Sequence, residues 1–184
     1  VVAKRFLSLA DDEIGAIRYG VTPLDAEAEI TFTPYLDGNV KNRDSNYGEV
    51  FWNLIHTHAE EGGAFLTAKT KKSGFIVSYA MKYSVLLDGK EIQAVPELLH
   101  SSGFAGNAVT TKTAKGSELN IHKIASVLSS MNYEESEIQD AARDAAERAI
   151  SKGFDQLLKE HVKIWENNWS HSDIVIKGDP AAQQ

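Results

Sequence analysis

Cysteine is absent from this chain, and long apolar runs and sizeable clusters of basic residues are missing as well. Without cysteine there is neither a disulfide framework nor thiol chemistry, which fits a reducing cytoplasm. No apolar run approaches the ~20 residues of a membrane-spanning helix. The largest basic cluster is 69–72 in a chain of net charge −7, so neither a nucleic acid nor a membrane is an expected partner. The composition favours a neutral or small-molecule partner and a cytoplasmic location.

The sequence also lacks the common catalytic and cofactor motifs. Serine nucleophile elbows, phosphate-binding Walker loops and dinucleotide glycine fingerprints do not occur. The acidic clusters at 11–13, 60–61 and 134–135 consist of residues adjacent in sequence and lie in turn-like or capping contexts. Solvated acids are expected there, because catalytic carboxylates need burial or a charged partner to shift their pKa. No catalytic residue and no cofactor are therefore predicted.

One motif has the spacing of metal ligands, His56-Thr57-His58 followed by Glu60. Two histidines on one face of a strand could bind zinc with a carboxylate as the third ligand. Closed structural zinc sites use four ligands, however, and no second cluster supplies the fourth. Surface or interface histidines are the preferred interpretation, and no metal is predicted.

Apolar and polar residues alternate along most of the chain before Met131. Alternation with period two, broken by short turn-forming segments, is typical of antiparallel strands with one solvated face. The Asp88-Gly89 dipeptide between two such runs is a strong hairpin signal. The segments predicted as strands are Lys4–Leu9, Ile14–Val21, Ala28–Tyr35, His56–His58, Ala64–Thr70, Phe75–Leu87, Glu91–Val95, Asn107–Thr113 and Glu118–Leu128. This pattern predicts an antiparallel β-sandwich.

Helical periodicity replaces the strand pattern after Met131. The segment Ser136–Gln139 has the form of a capping box and predicts the start of a helix. Apolar residues, mostly alanine, then recur at intervals of three and four, which gives a narrow face that allows close approach of a partner. Gly153 is suited to end this helix, and Phe154 to begin a second one.

The three tryptophans, Trp52, Trp165 and Trp169, allow two interpretations. They could form a platform on which sugar rings stack. Alternatively, Trp165 and Trp169 lie one turn apart on the predicted second helix and could pack against another domain, which is the commoner use. We prefer the second interpretation, because that helix has more apolar surface than one sandwich face needs. The strand-like start at Val1–Phe6, without an initiator Met, also predicts that the chain is part of a longer protein.

The loop Leu36–Trp52 combines tight turns, charged side chains and an aromatic-rich exit, so another surface is expected to pack on it. Together with Thr22-Pro23-Leu24, it resembles family 65 glycoside hydrolases and phosphorylases. The resemblance lies in an Asp-Gly-x-Val-Lys-Asn pattern at 37–42 and a Tyr-x-x-x-Phe-Trp pattern at 47–52. The C-terminal stretch 165–184 resembles the same family.

The resemblance implies a mainly β fold with C-terminal helices (α+β). Residues 1–132 would be part of an antiparallel, galactose-mutarotase-like super-sandwich, and residues 133–184 a two-helix linker to an (α/α)₆ catalytic barrel. The family's catalytic acid and phosphate-binding residues lie in that barrel, so the resemblance assigns no catalytic or metal-binding role to any residue here.

The implied activity is that of an inverting disaccharide phosphorylase. It converts maltose and inorganic phosphate, a co-substrate and not a cofactor, into β-glucose 1-phosphate and glucose. The chain alone is then expected to be inactive. The alternative is a carbohydrate-binding or assembly domain of a trehalose phosphorylase, a kojibiose phosphorylase or an acid trehalase.

The resemblance also implies that the partners are the protein's own barrel domain and a second copy in a homodimer. Interface contacts are expected from the polar loop and from the tryptophans of the second helix. These interface candidates are Asp37, Lys41, Asn42, Arg43, Tyr47, Trp52, Trp165 and Trp169.

Overall fold

The computed structural model describes residues 1–41, 48–174, 176–178 and 181. Within these residues, strands come first along the chain and two helices follow. The strands are β1 (Val2–Leu7), β2 (Ile14–Val21), β3 (Ala28–Phe32), β4 (Tyr35–Asp37), β5 (Trp52–Glu60), β6 (Gly63–Thr70), β7 (Ile76–Leu87), β8 (Lys90–Ile92), β9 (Glu97–Ser101), β10 (Phe104–Thr113) and β11 (Leu119–Ser129). The helices are α1 (Ile138–Lys152) and α2 (Phe154–Ser172).

The larger of the two sheets has the strand order β1-β2-β11-β7-β6-β5, with β8 paired to β7, and all its pairs are antiparallel. In the smaller sheet, β3 and β4 pair one after the other with the same edge of β10, and β9 pairs with the opposite edge. Pro34 separates β3 from β4, since it has no N–H to donate. Its carbonyl oxygen still accepts a hydrogen bond from the Asn107 amide at 3.0 Å. The predicted strand Ala28–Tyr35 is therefore one extended run interrupted at Pro34.

The two sheets pack face to face around an apolar core. This core is formed by the buried residues Phe32, Val85, Val109, Leu119 and Ile121. Odd-numbered residues of β11 point toward the smaller sheet, whereas even-numbered ones such as Ile124 and Leu128 point toward the helices. The predicted fold class, an antiparallel β-sandwich followed by C-terminal helices, is confirmed.

Helix α1 lies on the outer face of the larger sheet. Four of its alanines, Ala142, Ala145, Ala146 and Ala149, are buried there. Small side chains let the helix backbone approach the sheet, so that the buried Ser126 hydroxyl on β11 donates a hydrogen bond to the Ala142 carbonyl oxygen at 2.7 Å. The large sheet is thus covered by apolar contacts on both faces, with the smaller sheet on one side and α1 on the other.

The start of α1 differs from the sequence prediction. The capping box at Ser136–Gln139 does not form, because the N-cap residue is Glu137 and no side chain caps the helix. The amides of Glu137 and Ile138 instead donate to the Glu134 carbonyl oxygen, each at 3.1 Å. A backbone turn therefore satisfies donors that the capping box was expected to satisfy. Gly153 ends α1 as predicted, with φ 83° and its amide bonded to the Ala149 carbonyl oxygen.

Helix α2 contacts the large sheet along its first half, through Phe154 and Asp155 at its start and through His161, whose Nδ1 accepts from the Leu9 amide at 3.2 Å. The Phe154 side chain is buried, and the Arg18 guanidinium lies over its ring at 4.4 Å. Arg18 also donates through Nη2 to Asp155 Oδ1 at 2.6 Å and through Nε to His122 Nε2 at 2.9 Å. The last bond requires a neutral imidazole, since a protonated ring has no acceptor. Burial lowers the pKa of His122, and the positive charge of Arg18 lowers it further. The negative charge of Asp155 opposes the shift without cancelling it.

The lowered pKa of His122 predicts a loss of stability on mild acidification. At a given pH, His122 is protonated to a smaller extent in the folded protein than in the unfolded chain, where a histidine titrates at about 6.5. The free energy of unfolding should therefore be highest above pH 6.5 and fall as the pH drops below it. Thermal unfolding between pH 7.5 and 5.5 measures this loss. His122→Gln keeps an acceptor for Arg18 without titrating, so this variant should show a flatter dependence; an unchanged pH dependence would contradict the assignment.

Candidate functional site

A groove of about 530 Å³ opens between the two sheets, at the end of the sandwich where β4 leads into its loop. Its floor is the inner face of the large sheet, where β6 contributes Leu66 and Ala68. The residues at its polar and aromatic walls are Asp37, Lys41, Phe51, Trp52 and Tyr79. As far as the described residues define it, the groove combines an apolar base, three aromatic side chains and one charge of each sign.

The entry to the groove is a rigid turn at Asp37–Asn39. Asp37 Oδ1 accepts a hydrogen bond from the Asn39 amide at 2.9 Å, which is the geometry of an Asx turn. The Gly38 amide donates to the Gly103 carbonyl oxygen at 2.7 Å, and Asn39 Nδ2 donates to the Ser102 carbonyl oxygen at 2.9 Å. The turn is thereby joined to the hairpin between β9 and β10.

Gly38 lies directly on the large sheet, so a larger residue there would displace the leucine side chains beneath it. A Cβ atom at this position would lie 2.6 Å from Leu54 Cδ2 and 2.7 Å from Leu66 Cδ1, closer than carbon atoms approach each other without displacement. The Asp-Gly pair singled out in the sequence thus has two separate uses. Asp37 closes the turn, and Gly38 lets the turn sit against the sandwich core.

The aromatic wall comes from strands that are distant in sequence. Trp52 is the first residue of β5 and pairs with Thr70 of β6, and the Phe51 carbonyl oxygen accepts from the Lys71 amide at 2.9 Å. Tyr79 is half-buried on β7, and this burial raises its pKa. Its hydroxyl has no hydrogen-bond partner in the described part of the chain.

The structure brings three of the predicted interface candidates together. Asp37, Lys41 and Trp52 all line the groove, and neither Asp37 nor Lys41 forms an ion pair with a residue that the structure describes. Asn42, Arg43 and Tyr47 lie outside the described residues. No motif in the sequence pointed to Tyr79, because it lies in a regular strand. Only the pairing of β5, β6 and β7 places it beside Trp52.

The other two candidates, Trp165 and Trp169, lie on a different surface. Their rings stack with centroids 6.0 Å apart at an interplanar angle of 27°, and the residues are 44% and 55% exposed. Val162 on the same side of α2 is also exposed, whereas the buried residues of α2 are Phe154 and Leu157 near its start. The second half of α2 therefore presents an apolar strip to solvent, as the sequence predicted.

Among the described residues, Glu60 is the carboxylate with the most basic neighbours, and these neighbours favour its ionised form. It accepts from Lys82 Nζ and from Arg143 Nη2, each at 3.0 Å, at the junction between the large sheet and α1. Burial opposes ionisation, but these two cations outweigh it and the pKa of Glu60 is lowered. A carboxylate held ionised cannot donate a proton to a leaving group at neutral pH. The contact is a structural one.

The His56-Thr57-His58 motif does not assemble a metal site. The two imidazole rings lie beside Phe65, with ring centroids 5.2 and 5.0 Å away. Over residues 1–41, 48–174, 176–178 and 181, no three His, Cys, Asp or Glu side chains are grouped so that they could hold a metal ion. Neither α1 nor α2 has the length and apolar character needed to cross a bilayer.

Comparison with known proteins relates this chain to a single family. The sequence profile described as "Glycosyl hydrolase family 65, N-terminal domain" matches residues 1–168. The maltose phosphorylase of Bacillus subtilis (strain 168) is 31% identical over 182 residues, a match that covers 99% of this chain and 24% of that protein. The alpha,alpha-trehalose phosphorylase of Thermoanaerobacter brockii is 29% identical over 192 residues, covering 100% of this chain and 24% of that protein.

The fold has a close counterpart among solved structures. A protein from the human microbiome, provisionally assigned as a kojibiose phosphorylase, superposes with a TM-score of 0.83 at 18% identity. The match covers 98% of this chain and 23% of that one. At this identity the likeness establishes the fold. The chain spans about a quarter of the length of the relatives it matches.

Proposed function

The chain belongs to glycosyl hydrolase family 65 as its N-terminal domain, and we propose that it is the non-catalytic sandwich domain of an inverting disaccharide phosphorylase. This proposal rests on the match to phosphorylases, which covers 99% of this chain and reaches 31% identity with the maltose enzyme. Maltose is accordingly the substrate we propose. Trehalose and kojibiose are the alternatives, since phosphorylases of those sugars also match.

The proposed reaction is the attack of orthophosphate on the anomeric carbon of an α-linked disaccharide. A carboxylic acid protonates the oxygen of the departing glucose, and inversion yields β-glucose 1-phosphate. Glu60 is held ionised by Lys82 and Arg143, and Asp37 is the only carboxylate among the described residues that line the groove. The side chains described here are thus suited to support the reaction and not to perform it, so we assign the acid to a separate barrel domain.

The exposed strip on α2 supports a linker role for residues 133–184, with residues 1–132 as the sandwich. Trp165 and Trp169 are large apolar side chains left in solvent at the end of a helix whose beginning is firmly packed. Exposed aromatic pairs of this kind are favoured as anchors of interfaces. We propose that they pack on the barrel domain of the same protein, that the whole enzyme is a cytoplasmic homodimer, and that it uses phosphate as co-substrate without a further cofactor.

Activity assays on the complete protein and on this chain alone test the proposal. The complete protein should release glucose and β-glucose 1-phosphate from maltose only when phosphate is present, and more slowly or not at all from trehalose, kojibiose and nigerose. This chain alone should release neither product. Phosphate-independent hydrolysis by the complete protein would contradict the assignment as a phosphorylase, and turnover by the isolated chain would contradict the non-catalytic role.

A further inference from the structure

We propose that the groove between the two sheets is a saccharide-binding site in which a glucosyl ring packs on Trp52, with Asp37, Lys41 and Tyr79 forming hydrogen bonds to its hydroxyl groups. The inference rests on the proposed function only for the choice of an α-linked glucose disaccharide as ligand. The site itself is inferred from the groove.

The size and lining of the groove suit a sugar. Its volume of about 530 Å³ lies within the ~300–1,000 Å³ of small-molecule sites. Phe51, Trp52 and Tyr79 supply aromatic surface, and Leu66 and Ala68 supply an apolar floor. A pyranose ring has an apolar C–H face that packs on such surface and a rim of hydroxyl groups that needs donors and acceptors. Aromatic side chains with polar tips meet both needs.

The polar groups of the groove are free to bind. Asp37 uses one carboxylate oxygen for the Asn39 amide, which leaves the other oxygen for a ligand. Lys41 has no ion-pair partner within the described ranges, and the Tyr79 hydroxyl has no hydrogen-bond partner there. Asp37 thus offers a hydrogen-bond acceptor, Lys41 a cationic donor, and Tyr79 a neutral hydroxyl group that can donate or accept. These three groups line a partly apolar space.

The charges also discriminate between classes of ligand. An anion would be attracted by Lys41 and repelled by Asp37, and a cation the reverse, so the pair gives no net preference for a ligand of either charge. A purely apolar partner would remove both charges from water without compensating hydrogen bonds, which is unfavourable. A neutral polyol can donate to the carboxylate and accept from the ammonium group at the same time. The combination therefore favours an uncharged saccharide.

The groove is already shaped before a ligand arrives. The Asp37–Asn39 turn is held by a backbone bond from Gly38 to Gly103 and by a side-chain bond from Asn39 to the Ser102 carbonyl oxygen, and Gly38 rests on Leu54 and Leu66. A site on a preformed turn and on paired strands loses less conformational entropy on binding than one on a free loop. Weak but specific binding is the expected behaviour.

Tryptophan fluorescence of the chain itself tests the proposal, because the chain has three tryptophans and only one lines the groove. A Trp165→Phe/Trp169→Phe variant keeps Trp52 alone and should show a saturable emission change with maltose. The matched Trp52→Phe variant keeps only the α2 pair and should show none. Sorbitol, an acyclic polyol, should change neither. Tyr79→Phe in the Trp52-only background should weaken maltose binding about 3- to 10-fold, the effect of one lost hydrogen bond.

The outcomes separate this inference from the proposed function. The site is overturned if the Trp52-only variant does not respond to maltose, trehalose or kojibiose, or if the α2 pair responds equally. Both results concern the isolated chain, so they are independent of whether the complete protein is a phosphorylase. Circular dichroism confirms that each variant is folded. If either tryptophan variant does not fold, calorimetric titration of wild type against Lys41→Met and Tyr79→Phe decides the question, with weaker binding in both expected and unchanged binding contradicting the site.

Discussion

An Asn107→Ala variant should lose about 3 kcal/mol of unfolding free energy, the larger part of it from two side-chain hydrogen bonds that join the sheets. Asn107 is fully buried on β10 of the smaller sheet. Its Nδ2 donates to the Gly63 carbonyl oxygen of β6 at 3.0 Å, and its Oδ1 accepts from the Tyr83 hydroxyl of β7 at 2.9 Å. Alanine would leave both partners unsatisfied between the sheets, and a buried polar group without a partner is costly.

The Tyr83 hydroxyl, which donates to Asn107, stays protonated at neutral pH. Burial raises the pKa of Tyr83 to about 12, with the Glu61 charge adding to the rise and a hydrogen bond from the Gly62 backbone opposing it. The phenol therefore remains protonated and keeps donating to Asn107 across the physiological range. The stabilisation from this bond should accordingly be independent of pH up to strongly alkaline conditions.

Urea denaturation followed by circular dichroism measures the effect of Asn107→Ala. Thr110→Ala on the same strand is the matched control, because the Thr110 hydroxyl is exposed and its bond to Thr31 at 2.9 Å lies at the surface. The control should lose less than about 1 kcal/mol. A loss below 1 kcal/mol for Asn107→Ala, or equal losses for the two variants, would contradict the role assigned to Asn107.

Phe154→Ala should destabilise the protein by about 3–4 kcal/mol and release α2 from the sheet, because it removes the buried anchor of that helix. The Phe154 ring meets Phe6 edge-on at 5.5 Å and lies 5.5 Å from the His122 ring, in addition to the Arg18 contact. A helix of this length draws most of its stability from packing. Loss of the anchor should therefore reduce helical ellipticity and expose α2 to proteolysis before the sandwich unfolds.

The exposed tryptophans of α2 provide the control for this variant. A Trp165→Ala/Trp169→Ala variant should change the unfolding free energy of the chain by about 0.5 kcal/mol or less, since both side chains are largely in solvent. Equilibrium unfolding and limited proteolysis on the two variants make the comparison. Equal destabilisation by both would show that the second half of α2 also packs on the sheet, contrary to the structure.

Elements with strong local signals were predicted well. Strand β2 has the predicted bounds, Ile14–Val21, because its alternation is uninterrupted. Asp88 and Gly89 adopt φ values of 50° and 77°, as expected for a two-residue hairpin turn with left-handed residues. Strand β5 is longer than predicted, running from Trp52 to Glu60. Its polar residues suit a strand at the edge of a sheet. That β5 lies at the edge is known only from the order of the strands in the large sheet.

Strand β9, Glu97–Ser101, was missed altogether because its two leucines are adjacent and its residues therefore do not alternate between apolar and polar. Its pairing with β10 brings it into the sheet. The capping box at Ser136–Gln139 shows the opposite error, where a convincing local motif is replaced by a backbone turn on Glu134. The pairing of β9 with β10 is a contact beyond the local segment, as expected when local preferences are weak, whereas the start of α1 was decided by a competing local turn.

The loop and tryptophan patterns of the sequence indicated the family, and the strand and helix periods determined the fold class. Asp37, Lys41 and Trp52 were recognised as a group because they lie in one polar, aromatic loop. The groove that they share with Tyr79 depends on register between strands far apart in the chain, and the lowered pKa of Glu60 depends on Lys82 and Arg143 arriving from different elements. Such sites are set by long-range pairing and burial, which local periodicity does not encode, so only the tertiary structure could place them.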